Sequence, residues 1–357
     1  MKPQQLAIVL SGFPRRSETF ALAEIAALDE RGLIAAIFST KPGESGDPQP
    51  QARALAGRVH MLSGDPDAQT AEAAGLLAGT GIAGVHAYFA HAPAAIGQAL
   101  AQSLGVPFGF SVHARDARKV PKPELHARAR RAACVVACNA EVAHEFDGSG
   151  ARVQIVPHGV DLQRFDARPR ATGPLFHLLA VGRLVEKKGF DILIDALSTV
   201  TVSWHLRIVG DGPERDRLTM QAQRLGIADR IAFIGSITHD ALPLEYDNTD
   251  VVVVPSVVDR FGDRDGLPNV VLEAMASGRA VVATDTAAIP SAVRNGDSGV
   301  IVPAGDRAAL ARALTRLAAH PQLRAALGVA ARQSVERCFD VHHCTDRLAS
   351  VLREAYA

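Results

Sequence analysis

The chain is short of every feature that would mark it as membrane-spanning, disulfide-framed or bound to nucleic acid. Its 357 residues hold no uninterrupted apolar run approaching the roughly 20 residues of a spanning helix. The first apolar segment, Leu6-Ala7-Ile8-Val9-Leu10, reads as a strand, so no signal peptide is expected and the expected location is cytoplasmic. Four cysteines are too few for a disulfide framework. Cys134 and Cys138 share a strand in this reading, about 13 Å apart and out of bridging range. Cys338 and Cys344, near His342 and His343, have a spacing that matches no standard metal site. An excess of one charge is missing too. Lys plus Arg total 38 and Asp plus Glu total 38, so no basic field points to nucleic acid.

What is present is a regular alternation. Hydrophobic content of 48% excludes disorder, and 357 residues suit two domains better than one core. Short apolar stretches that predict strands lie at residues 6–10, 35–39, 85–89, 108–113, 134–138 and 153–157. A second set lies at residues 178–181, 206–209, 231–234, 251–255, 280–283 and 299–302. Amphipathic helical stretches fall between them, which predicts an α/β chain of two successive Rossmann-like halves with helix-covered parallel sheets. Periodicity stops and restarts over the polar, proline-bearing residues 164–174, the expected boundary. Residues 306–357 read as mostly helical, and no internal repeat stands out. Ligands of open parallel sheets sit beyond the carboxyl ends of the strands, so the two sheets are expected to face each other across a cleft.

Some motifs are dismissed on context. Gly79-Thr80-Gly81-Ile82-Ala83-Gly84 has the GxGxxG form but follows a helical run and precedes a strand, the reverse of a dinucleotide fingerprint. Gly296-Asp297-Ser298-Gly299 reads as a turn before a strand, with no oriented His partner for a serine nucleophile. Asp263-Arg264-Asp265 is an acidic triplet of a common kind, and a metal is not expected there.

The segments that carry chemistry cluster at strand ends. Residues 265–277 hold two carboxylates, Asp265 and Glu273, around a helix start. Pro268 suits the first helical position, and Leu267, Val270, Val271, Ala274 and Met275 follow one apolar face closed by Gly278. Glu273 lies about 120–140° from the centre of that face. Free N–H groups at a helix start bind phosphate and nearby carboxylates bind hydroxyls, a pairing suited to a nucleotide-sugar. In Gly182-Arg183-Leu184-Val185-Glu186-Lys187-Lys188-Gly189, Arg183 and Lys188 can clamp a diphosphate, before a helix with Phe190, Leu193, Ile194 and Leu197 as its apolar face. Gly210-Asp211-Gly212-Pro213 makes a tight turn after the next strand. In the first half, Gly12 in Ser11-Gly12-Phe13-Pro14 would let a ligand approach the backbone, and His113 ends a strand. A charged solvated loop and a structural His remain open readings of the same residues.

These segments, with Val254-Pro255-Ser256, Ser17-Glu18-Thr19-Phe20, His86-Ala87-Tyr88-Phe89-Ala90 and Val156-Pro157-His158-Gly159-Val160-Asp161, occur in order over essentially the full length. In combination they resemble the retaining GT-B glycosyltransferases of the group 1 (family 4) type. The resemblance implies a GT-B fold. Residues 1–165 would form an N-terminal Rossmann-like domain on the acceptor side. Residues 166–335 would form the nucleotide-sugar donor domain, and residues 336–357 a helix crossing back to the first. It assigns Arg183 and Lys188 to the donor diphosphate, Glu273 to the ribose hydroxyls and His113 to the donor sugar or its phosphate. Backbone at Gly12, Gly266, Leu267, Asn269 and Val270 would approach the phosphates or sugar, and backbone at Ile237 the base. Asp265 stands where the family has the first Glu of its Glu-x7-Glu motif, beside the transferred sugar. It is one methylene shorter, so its contact with sugar hydroxyls shifts or passes through water. The implied activity is a metal-independent hexosyltransferase with no cofactor and no protein nucleophile, using a UDP-sugar or GDP-sugar donor.

The Ser-Glu-Thr-Phe form resembles enzymes of exopolysaccharide and surface-glycan synthesis, which implies a glycan or lipid-linked glycan acceptor. Arg115, Arg118, Lys119, Lys122, Arg128, Arg130 and Arg131 make a basic stretch opposed only by Asp116 and Glu124. It reads either as peripheral contact with the inner membrane face or as a solvated helix surface. A sugar-nucleotide epimerase of related architecture and a non-catalytic sugar-nucleotide-binding protein are the alternatives. A nicotinamide-dependent dehydrogenase lacks its glycine fingerprint.

Overall fold

A computed structural model describes residues 5–15, 18–44, 50–168 and 173–357, together with the backbone but not the side chains of Ala114 and Arg115. The chain forms two compact units, one of residues 1–159 with 341–357 and one of residues 160–340. Ser17, in the Ser-Glu-Thr-Phe segment, and part of the expected 164–174 boundary lie outside the described residues.

The first unit is built on seven strands: β1 (Leu6–Leu10), β2 (Ile34–Ser39), β3 (Val59–Met61), β4 (Gly84–Tyr88), β5 (Phe108–Val112), β6 (Cys134–Ala137) and β7 (Val153–Ile155). Their order is β3-β2-β1-β4-β5-β6-β7, every pairing parallel. Strands β1, β4, β5 and β6 are buried along their whole length, because helices cover both faces of a parallel sheet. Strand β3 was not legible in the sequence. It is a three-residue edge strand whose His60 and Met61 are exposed, so it carries no apolar run. Five expected strands, those at residues 85–89, 108–113, 134–138, 153–157 and 251–255, end earlier in the fold. Phe89 has φ of 80°, which ends β4 before it, and His113 leaves β5 to precede the short helix Ala114–Ala117.

The second unit has β8 (Phe176–Val181), β9 (Trp204–Val209), β10 (Ile231–Gly235), β11 (Val251–Val254), β12 (Ala280–Thr284) and β13 (Val300–Val302). The order is β10-β9-β8-β11-β12-β13, again all parallel. Each sheet therefore reverses direction of build once, between β1 and β4 and between β8 and β11. Loops leaving the carboxyl ends of strands at such a switch point diverge and leave a crevice. In the second unit these are the loops that follow β8 and β11. Gly189 ties them together: its φ is +63°, and a Cβ there would sit 2.0 Å from the Pro255 carbonyl oxygen.

The helix Asn269–Ala276 starts one residue later than the sequence suggests. Pro268 is the capping residue, with ψ of 133°, and its carbonyl accepts from Val271 N at 3.0 Å. Gly278, with φ of +65°, closes the other end by donating to Met275 O. Val271 through Ala276 are all buried, because the helix packs on the sheet and also against the helix Pro321–Cys338. The terminal helix Val341–Ala355 belongs to the first unit, where Leu348, Ala349 and Leu352 join the β1 side of its core. Among the described residues no helix is long and apolar enough to cross a membrane.

Candidate functional site

In the second unit the loop after β8 forms a tight turn over Glu186–Lys188, and the loop after β11 runs from Pro255 to Pro268. Arg183 is exposed at the end of β8. Lys188 Nζ donates to Asp265 Oδ2 at 2.6 Å, and Ser256 Oγ donates to the same oxygen at 3.3 Å. Lys187 Nζ lies 3.3 Å from Asp265 Oδ1 and 3.2 Å from Asp263 Oδ2. The two acids of the Asp263-Arg264-Asp265 triplet thus face lysines. Burial pushes the Asp265 carboxyl up, but Lys188 and then Lys187 pull it further down, so it sits below the ordinary carboxylate range. It is a carboxylate held ionised and half-hidden at the switch point.

Glu273 lies within the core rather than beside it. The helix wheel placed it off the apolar face, but it is 5% exposed. Tyr246 Oη donates to Glu273 Oε2 at 2.8 Å, and His239 Nε2 lies 3.6 Å from Oε1. Burial, reinforced by the Glu273 charge, raises the Tyr246 phenol well above its ordinary range, so it remains a donor. Gly266 is half-buried before the helix, and Asn269 is its first residue. Leu267, Val270 and Ile237 pack partly buried on the cluster that contains Val271 and Tyr246. Lys187, the Ser256 hydroxyl, Tyr246 and His239 were not singled out by sequence. Ser256 and Lys187 stood inside noted motifs; Tyr246 and His239 gave no local signal.

In the first unit, His113 is buried and its ring sits among aromatics. Phe20 lies 4.8 Å away, Phe89 4.9 Å and His158 4.8 Å between centroids, the last stacked at 22°. Asp116 accepts from His113 N and from Ala90 N, both at 2.5 Å, fixing the start of the short helix to the end of β4. Burial, then the neighbouring His158 and His86, hold the His113 ring well below its ordinary range and hence neutral. Gly12 is buried after β1, where a Cβ would come 3.2 Å from Pro42 O and 3.4 Å from the Lys41 stem. Those two residues already approach the Gly12 backbone closely. The basic stretch divides. Arg118 pairs with Glu141 at 2.8 Å, and buried Arg128 donates to Ala90 O and to Glu124. Lys119, Lys122, Arg130 and Arg131 are exposed, and the Arg115 side chain lies outside the described residues. Cys134 and Cys138 are free thiols, and no cluster of three or more His, Cys, Asp or Glu with metal-holding geometry occurs among the described residues.

Comparison with known proteins agrees with this layout. Residues 176–320 match the model for group 1 glycosyl transferases, and residues 17–164 match the model for glycosyltransferase family 4. WcaL of Escherichia coli, named as a colanic acid biosynthesis glycosyltransferase, is 27% identical across 98% of this chain and 99% of its own. A GDP-mannose-dependent alpha-(1-6)-phosphatidylinositol monomannoside mannosyltransferase of Mycolicibacterium smegmatis is 36% identical over 52% of each chain. HepE of Anabaena, solved in complex with UDP, matches with a TM-score of 0.82 at 20% identity, covering 98% of this chain and all of that one. That likeness is one of fold, and the fold is GT-B. The chain belongs to the group 1 glycosyltransferases.

Proposed function

We propose that the protein is a retaining hexosyltransferase that takes its sugar from a nucleotide-diphosphate donor. Its acceptor is a glycan or lipid-linked glycan in exopolysaccharide or surface-glycan synthesis. The observation that carries this reading is the Lys188–Asp265–Ser256 cluster at the β8/β11 switch point, with Arg183 exposed on the loop that leaves β8. Breaking an anomeric bond to diphosphate leaves positive character on the sugar and negative charge on the leaving group. Arg183, Lys188 and the start of the helix Asn269–Ala276 supply the charge and N–H donors for the second. Asp265, ionised and facing the loop, accepts from hydroxyls of the sugar being moved, and Glu273 takes the ribose. His113, neutral, serves the donor sugar or its phosphate as a hydrogen-bonding group. Backbone at Gly12, Gly266, Leu267, Asn269 and Val270 lies toward the phosphates and sugar, and backbone at Ile237 toward the base. No side chain is assigned as a nucleophile: the leaving phosphate takes the acceptor's proton while the acceptor attacks from the same face.

The two cations do the work a metal does elsewhere, so no metal or other cofactor is required. UDP bound to HepE and the GDP-mannose of the mycobacterial relative support a UDP-sugar or GDP-sugar donor. The name of WcaL supports the polysaccharide setting. The reaction is placed in the cytoplasm, with exposed Lys119, Lys122, Arg130 and Arg131 as the face for peripheral contact with the inner membrane surface.

The test is a thermal-shift screen of the purified chain against UDP-, GDP- and ADP-sugars and the free nucleotides, followed by transfer assays with and without EDTA. A shift with one nucleotide class fixes the donor base, and EDTA leaves turnover unchanged. No shift with any nucleotide overturns the reading. Binding without transfer to any glycan or lipid-linked acceptor would mark a non-catalytic sugar-nucleotide-binding protein.

A further inference from the structure

A buried carboxylate–imidazole pair lies behind His113 in the first unit. His158, just past β7, brings its Nδ1 2.5 Å from Glu24 Oε1, and Tyr88 Oη donates to Glu24 Oε2 at 3.3 Å. The Glu24 side chain is 7% exposed and that of His158 16%. Taking such a pair out of water is costly, and two apolar side chains of similar volume would fill the space more cheaply. The pair is also aimed. The His158 ring stacks on His113 with centroids 4.8 Å apart, and Phe20 covers both rings, 4.1 Å from His158 and 4.8 Å from His113. His113 Nδ1 meets no hydrogen-bond partner among the described residues, and both rings line one small pocket with Ser111 and Cys138.

We propose that Glu24 and His158 are positioning residues for His113, the carboxylate anchoring one imidazole and that imidazole holding the other in place as a hydrogen-bonding rather than ionic partner of the donor. This rests on the reading that His113 serves the donor. Electrostatics agree with the geometry. Burial works against a charged His158, but the Glu24 carboxylate, aided by Cys138, more than reverses it and lifts the ring to about 10. The resulting cation lies against His113 and opposes its protonation, after burial itself.

The other groups facing His113 come from four elements. Asp116, on its own short helix, lies 4.0 Å from Nδ1, with its two oxygens already accepting from the Ala90 and His113 backbone. Strand β4 presents His86 and Tyr88, strand β5 presents Ser111, and the end of β6 presents Cys138. Of these, His86 is held neutral by burial, at about 3. Asp116 is raised to about 7, mainly by burial, so its step is common to wild type and variants. The informative quantity is therefore the difference between pH profiles.

The experiment measures kcat and donor KM from about pH 5.5 to 9 for the wild type, His113→Ala and His158→Gln, with unfolding curves for each. His113→Ala loses turnover if the donor reading holds. His158→Gln removes the cation beside His113 and leaves the Glu24 carboxylate nearby, so His113 protonates more readily than in the wild type as pH falls. Its kcat then drops by about tenfold more than the wild type at the acid end, with donor KM within about threefold. If His158→Gln does not fold, the double variant Glu24→Gln/His158→Gln, which leaves no unpaired charge, tests the positioning through a lower kcat at unchanged donor KM, without the acid-end difference. The proposal is overturned if His113→Ala is inactive while the folded His158 variants keep wild-type kcat and profile. Full turnover by His113→Ala overturns the donor reading instead, and the proposal with it.

Discussion

Lys188 Nζ sits 2.6 Å from Asp265 Oδ2 and bridges the loops that leave β8 and β11. Lys187, 3.3 Å from the other oxygen, holds the same carboxylate from its second side. On the proposed reading the two lysines are not equivalent to a donor: an incoming diphosphate would compete with Asp265 for Lys188, and Lys187 would keep the acid compensated. Lys188→Ala should fold, with a loss of about 1–3 kcal/mol, because Lys187 remains. Transfer should fall by at least about 100-fold through loss of a cation at the leaving group. Initial rates and denaturant curves on the same preparation separate the two effects, and wild-type turnover would remove Lys188 from the site.

Glu273 and Tyr246 allow a cleaner separation of binding from stability. Tyr246→Phe removes the donor to Glu273 Oε2 and leaves His239 beside Oε1. It should cost about 1–2 kcal/mol and raise donor KM only modestly. Glu273→Ala should keep the fold, lose transfer and abolish the thermal shift given by the matched nucleotide. Equal effects of the two substitutions on nucleotide affinity would mean that Glu273 is there for Tyr246 and not for the ribose.

How much of this was legible follows from where the information lies. Parallel strands buried on both faces read as apolar runs, which is why Val251–Val254 was readable and the edge strand Val59–Met61 was not. Lys188 and Asp265 were each noted from local pattern, but their contact spans 77 residues and depends on Gly189 packing against Pro255 O. The burial of Glu273 did not follow from the helical wheel, because that reasoning treats one buried face. The helix Asn269–Ala276 has a sheet on one side and the helix Pro321–Cys338 on another. Glu24 and His158, 134 residues apart, share no pattern at all, and only the tertiary packing of the first unit brings them together.

Asp116 should make the protein less stable as pH rises through the weakly acid range. Burial raises its folded-state value from 3.8 to about 7, although it accepts from Ala90 N and His113 N. Below the unfolded value both states are protonated and there is no penalty. Between there and about 7 the unfolded state releases a proton that the folded state retains, so stability falls with pH and levels off above the folded value. The drop is on the order of a few kcal/mol. Asp116→Asn should flatten that part of the unfolding profile, whatever it costs at low pH. A wild-type Tm that does not fall between about pH 4 and 7 relative to Asp116→Asn would show that the carboxyl is not desolvated.

Tyr356 fastens the terminal helix Val341–Ala355 to the first sheet, and the fit depends on a missing side chain. Its Oη donates to Val85 O at 2.9 Å and lies 3.0 Å from His86 Nδ1, while the other ring nitrogen of His86 reaches Ser111 Oγ at 2.9 Å. The ring cannot swing away without breaking these bonds. A Cβ at Gly84 would stand 2.2 Å from Tyr356 Cδ1 and 2.8 Å from Pro107 O. Gly84→Ala should therefore cost about 3 kcal/mol, the upper range for overpacking. Tyr356→Ala should cost a similar amount through the lost ring and the unpaired His86. If the clash is the cause, the double variant loses less than the sum, because removing the ring makes room for the methyl. Denaturant midpoints give the coupling directly. Additivity within about 0.5 kcal/mol would mean that Pro107 O, not Tyr356, is what Gly84 makes room for.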